Sequence, residues 1–137
     1  MTRVDFYQLN PDRHKFDQVI CQLCQKAYES RQPTLLFTHS PEQTSILDKY
    51  MWVYKEDSFL PHDVEEDPRI QTPILIQHEH QPIGTRELLI NLSSVIPPWF
   101  AQFERVIELV TEDNKTNSRE HYQFYRERGY PLNHVTL

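Results

Sequence analysis

The stretch TLLFTHSPEQTSILDKYM, residues 34–51, decides the fold. Its opening, TLLFTH, is a short continuous apolar run rather than an alternating one, which suits a strand covered on both faces. Ser40 is a good N-cap and Pro41 a good first helical residue, so a helix follows at once. Ile46, Leu47, Tyr50 and Met51 are expected on its inward side, and it should end near Tyr54. A doubly covered strand joined directly to a helix is a unit of a sheet with helices on both faces.

The flanking sequence repeats the pattern. VDFYQL (4–9) reads as a first strand, ending at Asn10-Pro11. Phe16, Val19, Ile20, Leu23, Cys24, Ala27 and Tyr28 then recur at helical spacing, giving a helix over about 14–30, stopped by Arg31-Gln32-Pro33. On the other side, residues 55–69 form an acidic loop carrying the apolar pair Phe59-Leu60. PILIQHE (73–79) and RELLINLS (86–93) are strands separated by a turn at Pro82-Ile83-Gly84. PPWFAQF (97–103) is a short helix opened by prolines, and RVIELV (105–110) is a fifth strand. After a turn at 113–117, Ser118 is the expected N-cap of a final helix, with Gly129 and Pro131 as its stop signals. The order predicts one three-layer, Rossmann-like α/β domain over residues 1–137 with a mostly parallel central sheet. No internal repeat, linker or low-complexity segment interrupts it.

Composition narrows the function. A chain of 137 residues buries roughly two-thirds of its unfolded surface, enough for one real core. The formal net charge of −6 argues against broad binding to nucleic acid or anionic membrane. No apolar run approaches the roughly 20 residues that span a bilayer, and MTRVDFYQLN lacks a signal peptide's apolar centre. A cytoplasmic protein is expected.

The sequence holds two glycines, Gly84 and Gly129, and neither lies between the first strand and the first helix. A nucleotide-binding loop needs glycine there so that backbone N–H groups can approach phosphate. That junction reads LNPDRHKF. GxSxG, Walker A and HExxH motifs are also missing, so no catalytic residue, cofactor or metal is expected. Two weaker signals keep a rival open, a small metal-dependent or redox enzyme. Cys21 and Cys24 have CxxC spacing, but in mid-helix rather than at a helix N-terminus, where the dipole would lower a thiol pKa; packing of reduced thiols is the other reading. His78 and His80 alternate in QHEHQ and could share a strand face, either as metal ligands or as a polar strand end. Glu65, Glu66, Asp67, Glu112 and Asp113 fall in loops, as solvated carboxylates do.

SREHYQFYRERGYPL (118–132) is cationic and aromatic on an acidic chain. At about 100° per residue, His121, Tyr122, Phe124 and Tyr125 fill one arc, the side expected to face the sheet. Arg119 and Arg126 share the adjoining face, with Tyr122 at the border, while Arg128 falls opposite, where it would serve the helix C-terminus. The pattern fits either an amphipathic helix with solvated charges or a small apolar notch rimmed by guanidinium groups. Such a notch suits an acidic peptide with an apolar last residue and a free carboxylate. Phe59 and Leu60, close after Trp52, likewise fit either exposed interface anchors or side chains tucked under their loop.

Together these segments resemble the chi subunit family of bacterial DNA polymerase III, part of the clamp-loader assembly. The specific parts are LDKYMWVYKEDSFLPHDV, where Trp52 precedes Ser-Phe-Leu-Pro-His, and the terminal RExYxxYRxxGYxL pattern. VDFYQL, PILI, LLINLS and VIELV extend the likeness over nearly the whole chain. The resemblance implies a non-enzymatic adaptor with a nucleotide-binding-like fold and no nucleotide site. It implies two partners: the psi subunit, which tethers chi to the clamp loader, and the acidic, phenylalanine-terminated tail of single-stranded-DNA-binding protein. Contact with DNA would be indirect, and no membrane is involved. On matching positions the tail site comprises Arg119 and Tyr122, with Val110 nearby. Arg126 is added from the helical wheel. Gln123 stands where the family often has a basic residue. The psi-facing site comprises Trp52, Phe59, Leu60, Pro61 and His62.

Overall fold

A computed structural model describes residues 1–54, 60–67 and 69–137. The strands are β1 (Arg3–Gln8), β2 (Thr34–Phe37), β3 (His62–Asp63), β4 (Ile74–Gln77), β5 (Leu88–Asn91), β6 (Arg105–Val110) and β7 (Leu132–Thr136). The helices are α1 (Phe16–Glu29), α2 (Pro41–Val53) and α3 (Lys115–Glu127), and a 3-10 turn spans Phe100–Gln102. The strands form one sheet in the order β3-β4-β2-β5-β6-β1-β7, and every described pairing is parallel.

The unbroken apolar runs explain the layers. Alternate strand residues point to opposite faces. Leu36, Ile74, Ile76, Leu88, Ile90, Ile107 and Leu109 pack on one side with α1, Leu47 and Met51. Leu35, Leu75, Leu89, Val106 and Val110 pack on the other with Phe100, Phe103 and Tyr125. The two cores sandwich the sheet, and α3 lies on the second face.

Local chemistry fixes the boundaries. Ser40 Oγ accepts the Gln43 N–H at 3.1 Å, capping α2, with Pro41 as its first residue. The buried stripe of α2 is Thr44, Leu47 and Met51, which leaves Ile46 57% exposed, against the expectation that it faces inward. Gly129 takes φ +78°, and the Tyr130 N–H donates to the Tyr125 carbonyl at 3.1 Å, ending α3 as Gly129 and Pro131 predict.

Three features depart from the sequence reading. The short strand β3 lies in the acidic loop, pairing His62 with Ile74. Only two residues pair, too few for alternation to show. β7 continues the sheet past β1, pairing Val4 with Leu132 through Gln8 with Thr136. As an edge strand it buries little, so its sequence lacks an apolar rhythm. Finally, α3 begins at Lys115 with Asn114 at its N-cap position, one turn earlier than a Ser118 cap. The Asn114 side chain bonds the Thr111 N–H and the Leu109 carbonyl, closing the turn there, and Ser118 Oγ donates to Asn114 Oδ1 from within the helix.

Candidate functional site

The β1–α1 junction lies outside the C-terminal edge of the sheet, where open α/β sheets bind ligands. Here its amides are engaged internally. The Asn10 N–H donates to His14 Nδ1 at 2.9 Å, and Asn10 Oδ1 accepts the Asp12 N–H at 2.9 Å. The Arg13 and His14 N–H groups donate to the Asn10 carbonyl. The first turn of α1 beyond it has no side-chain cap.

A concavity of about 440 Å³ lies at this junction, lined by Leu9, Pro11, His14 and Phe16 with residues 111–114, and a groove of about 530 Å³ lies between α3 and the sheet. Phe6 and Gln8 of β1 and Val110 of β6 line one part, Lys115, Ser118, Arg119 and Tyr122 of α3 another, and His134 of β7 a third. The lining follows from the order β6-β1-β7, because α3 crosses over β1 on its way from β6 to β7. A further concavity of about 520 Å³ adjoins the groove, lined by Arg119, Tyr122, Gln123, Arg126 and Glu127. Arg119 and Tyr122 belong to both.

Tyr122 is 37% exposed, with its ring edge-on to Phe6 at 5.3 Å, so a rigid aromatic wall separates core from groove. Among the described residues no carboxylate approaches Arg119 or Arg126 within ion-pair distance, whereas Lys115 pairs with Glu112 at 3.1 Å. Gln123 Nε2 donates to Glu127 Oε1 at 3.1 Å. Arg128 lies apart, donating to the Phe124 carbonyl at 3.2 Å with its guanidinium 3.6 Å from the Phe124 ring centre, as its place at the helix C-terminus predicts. The five expected residues of this surface, Val110, Arg119, Tyr122, Gln123 and Arg126, are therefore brought together. Lys115 and His134 were not legible, because the helix start and β7 were not.

α3 rests on buried polar groups. Glu108 of β6 meets His121 Nδ1 at 3.0 Å through Oε1, and its Oε2 accepts Asn91 Nδ2 and the Tyr125 hydroxyl, each at 2.9 Å. His121 Nε2 lies 2.9 Å from the Ser94 carbonyl. Tyr125 is fully buried, and burial, with the charge and hydrogen bond of Glu108, holds its hydroxyl far above the ordinary tyrosine range.

The Trp52 surface is smaller than expected. Trp52 is 58% exposed and meets the His62 ring edge-on at 5.2 Å. His62 itself is buried, with Nδ1 2.6 Å from the Leu60 carbonyl and Nε2 3.0 Å from Asp48 Oδ1. Leu60 is also buried, in the α1–α2 core. His62 thus supports Trp52 from below, and of the two readings of Leu60 the structure gives the tucked-under one, so neither side chain is presented at the surface. Pro61 is half-buried, and Phe59 lies outside the described residues. β3, beside Trp52, and β7, beside Arg119, are opposite edges of the sheet. Six strand spacings of about 4.8 Å separate them, roughly 29 Å.

The rival chemistries find little support. Cys21 and Cys24 are both buried; burial, aided by Asp17, pushes the Cys21 thiol up to about 12, and burial, aided by Cys21, pushes Cys24 well above its ordinary value. Thiols so raised are poor nucleophiles. His78 and His80 lie beyond the end of β4, their Nε2 atoms 3.8 and 3.9 Å from the Glu79 carboxylate. Among the described residues no three His, Cys, Asp or Glu side chains are grouped to hold a metal ion, and no helix is long and apolar enough to cross a membrane.

Comparison with known proteins agrees with the motifs. The family profile described as DNA polymerase III chi subunit, HolC, matches residues 1–133. The DNA polymerase III subunit chi of Pseudomonas aeruginosa is 36% identical over 135 residues, covering 96% of this chain and 94% of that one. That of Escherichia coli K12 is 28% identical over 145 residues, covering 99% of each. That of Haemophilus influenzae is 30% identical over 120 residues, covering 85% of this chain and 83% of its own. Among solved structures, T4 UvsW superposes with a TM-score of 0.68 at 9% identity, over 99% of this chain and 41% of that one, a likeness of fold alone.

Proposed function

The chain belongs to the family of DNA polymerase III chi subunits, and from that membership we propose that it is a non-catalytic adaptor of the bacterial replication machinery. One partner is the psi subunit of the clamp loader, met by the Trp52 surface. The other is the acidic C-terminal tail of single-stranded-DNA-binding protein, held in the α3 groove. The protein would touch DNA only through that partner and work in the cytoplasm, where the replication complex operates.

The observation that carries this reading is the sharing of Arg119 and Tyr122 between two adjoining concavities. An apolar last side chain can enter between Phe6, Val110 and Tyr122, while its carboxylate meets a guanidinium whose paired donors match it. Acidic residues upstream then lie toward Arg126. The glycine-free turn after β1, with the Asn10, Asp12, Arg13 and His14 amides engaged, supports the absence of a nucleotide role. Such peptides are expected to bind in the micromolar range, about −8 kcal/mol. The test is a titration with a labelled acidic peptide ending in Ile-Pro-Phe, repeated with its carboxylate amidated. Tight binding of the free acid and weak binding of the amide are expected; equal binding, or none, rejects the proposal.

A further inference from the structure

The groove's shape depends on how α3 is seated, and the seat is the Glu108–His121 contact. Neutral imidazole carries one N–H, so one of its nitrogens is an acceptor. In this fold both ring nitrogens of His121 face acceptors: Glu108 Oε1 at 3.0 Å and the Ser94 carbonyl at 2.9 Å. A neutral ring would set a lone pair against one of them unless the proton moved onto Glu108. The two donors on Glu108 Oε2, Asn91 Nδ2 and the Tyr125 hydroxyl, favour a carboxylate instead. The Ser94 carbonyl also accepts Asn117 Nδ2 at 2.9 Å, so the same atoms tie the loop after β5 to two successive turns of α3.

We propose that His121 is held as an imidazolium between Glu108 and the Ser94 carbonyl, and that this buried ion pair sets the position of α3 and so of Arg119 and Tyr122. His121 is thus a positioning residue, next to Tyr122 and two residues after Arg119 in α3, with its own ring on the buried side of the helix; its consequence for binding rests on the tail-capture reading. The groups that face it are Glu108 from β6, Glu120 and Tyr125 from α3, and the uncharged Asn91 and Ser94 carbonyl from β5 and its following loop. Burial alone would lower its pKa, but the hydrogen bond and charge of Glu108, the Ser94 carbonyl and Glu120 outweigh that and raise it above the ordinary 6.5.

The experiment is a pH titration of the full chain by nitrogen-15 NMR, following the His121 ring and the amides of Arg119 and Tyr122. Expected are two ring N–H groups at neutral pH, and Arg119 and Tyr122 amides that shift with the same midpoint once the ring loses a proton. A ring with one proton at neutral pH, whether or not Glu108 holds the other, overturns the ion pair. A ring that titrates while both amides stay put overturns the positioning role. His121→Gln, uncharged but still able to donate, should hold those amides near the parent's high-pH positions at every pH; parent low-pH positions would contradict the proposal. Affinity for the Ile-Pro-Phe peptide, read on the same samples, should fall several-fold across the parent's ring titration. Failure to bind at any pH would reject tail capture while the ring and amide resonances still decide the ion pair.

Discussion

Arg119 and Leu60 show how far single residues can be read. Arg119 was visible as a cation beside an aromatic arc, but helix geometry left it open between a solvated charge and the rim of a notch; its place on the groove follows from α3 crossing over β1. Replacing it with alanine should cost on the order of 2 kcal/mol of peptide binding, roughly thirty-fold, by isothermal titration. Arg119→Lys should recover only part, because a point charge lacks the paired donors. Gln123→Lys should tighten binding by adding a cation beside Arg126 in place of the neutral amide that now donates to Glu127. Leu60 was left between an exposed anchor and a tucked-under side chain because its neighbours are acidic and proline-bounded, and the structure buries it. Its burial against α1 and α2 predicts that Leu60→Ala lowers folding stability by about 2–5 kcal/mol in urea melts. Trp52→Ala, at a side chain more than half exposed but edge-on to His62, should cost less stability than Leu60→Ala and abolish psi capture. A Trp52→Ala chain that still pulls down psi would remove Trp52 from that interface.

At the scale of the element, α3 is where binding and stability meet. Its apolar arc was legible from periodicity, but its first turn was not, because Asn114 and Ser118 are both residue types that cap helices and the local bonds of Asn114 to Leu109 and Thr111 set where the turn closes. β3 and β7 were illegible for a related reason: edge strands bury little and leave weak patterns. The seat of α3 gives a pH prediction. His121 has a folded pKa above its unfolded value of 6.5, so it stabilises the fold fully below about 6.5 and progressively less as pH rises through the folded value. Urea midpoints followed from pH 6 to 9 should therefore fall, and the His121→Gln chain should lose that slope. Tyr125→Phe removes a buried donor from Glu108 while keeping the ring, and should cost about 1–3 kcal/mol in the same assay.

For the whole molecule, the arrangement matters more than any one site. The doubly covered central strands were legible because β2, β4 and β5 are unbroken apolar runs, and they fixed a parallel three-layer fold before any site was placed. The strand order was not legible, and it is the order that sends the Trp52 and Arg119 surfaces toward opposite edges of the sheet, whose edge strands lie roughly 29 Å apart. Residues so far apart, with no shared partner, should act additively. A Trp52→Ala, Arg119→Ala double variant should lose each partner as its parent single variant does, with no extra loss of either. The adaptor reading has its sharpest test in a double-mutant cycle between Arg119→Ala and amidation of the peptide's last residue. If the guanidinium holds the terminal carboxylate, the two changes should be coupled, by at least about 1 kcal/mol, each costing much less once the other is made. Fully additive losses would mean that Arg119 does not recognise the chain end, and would contradict the account.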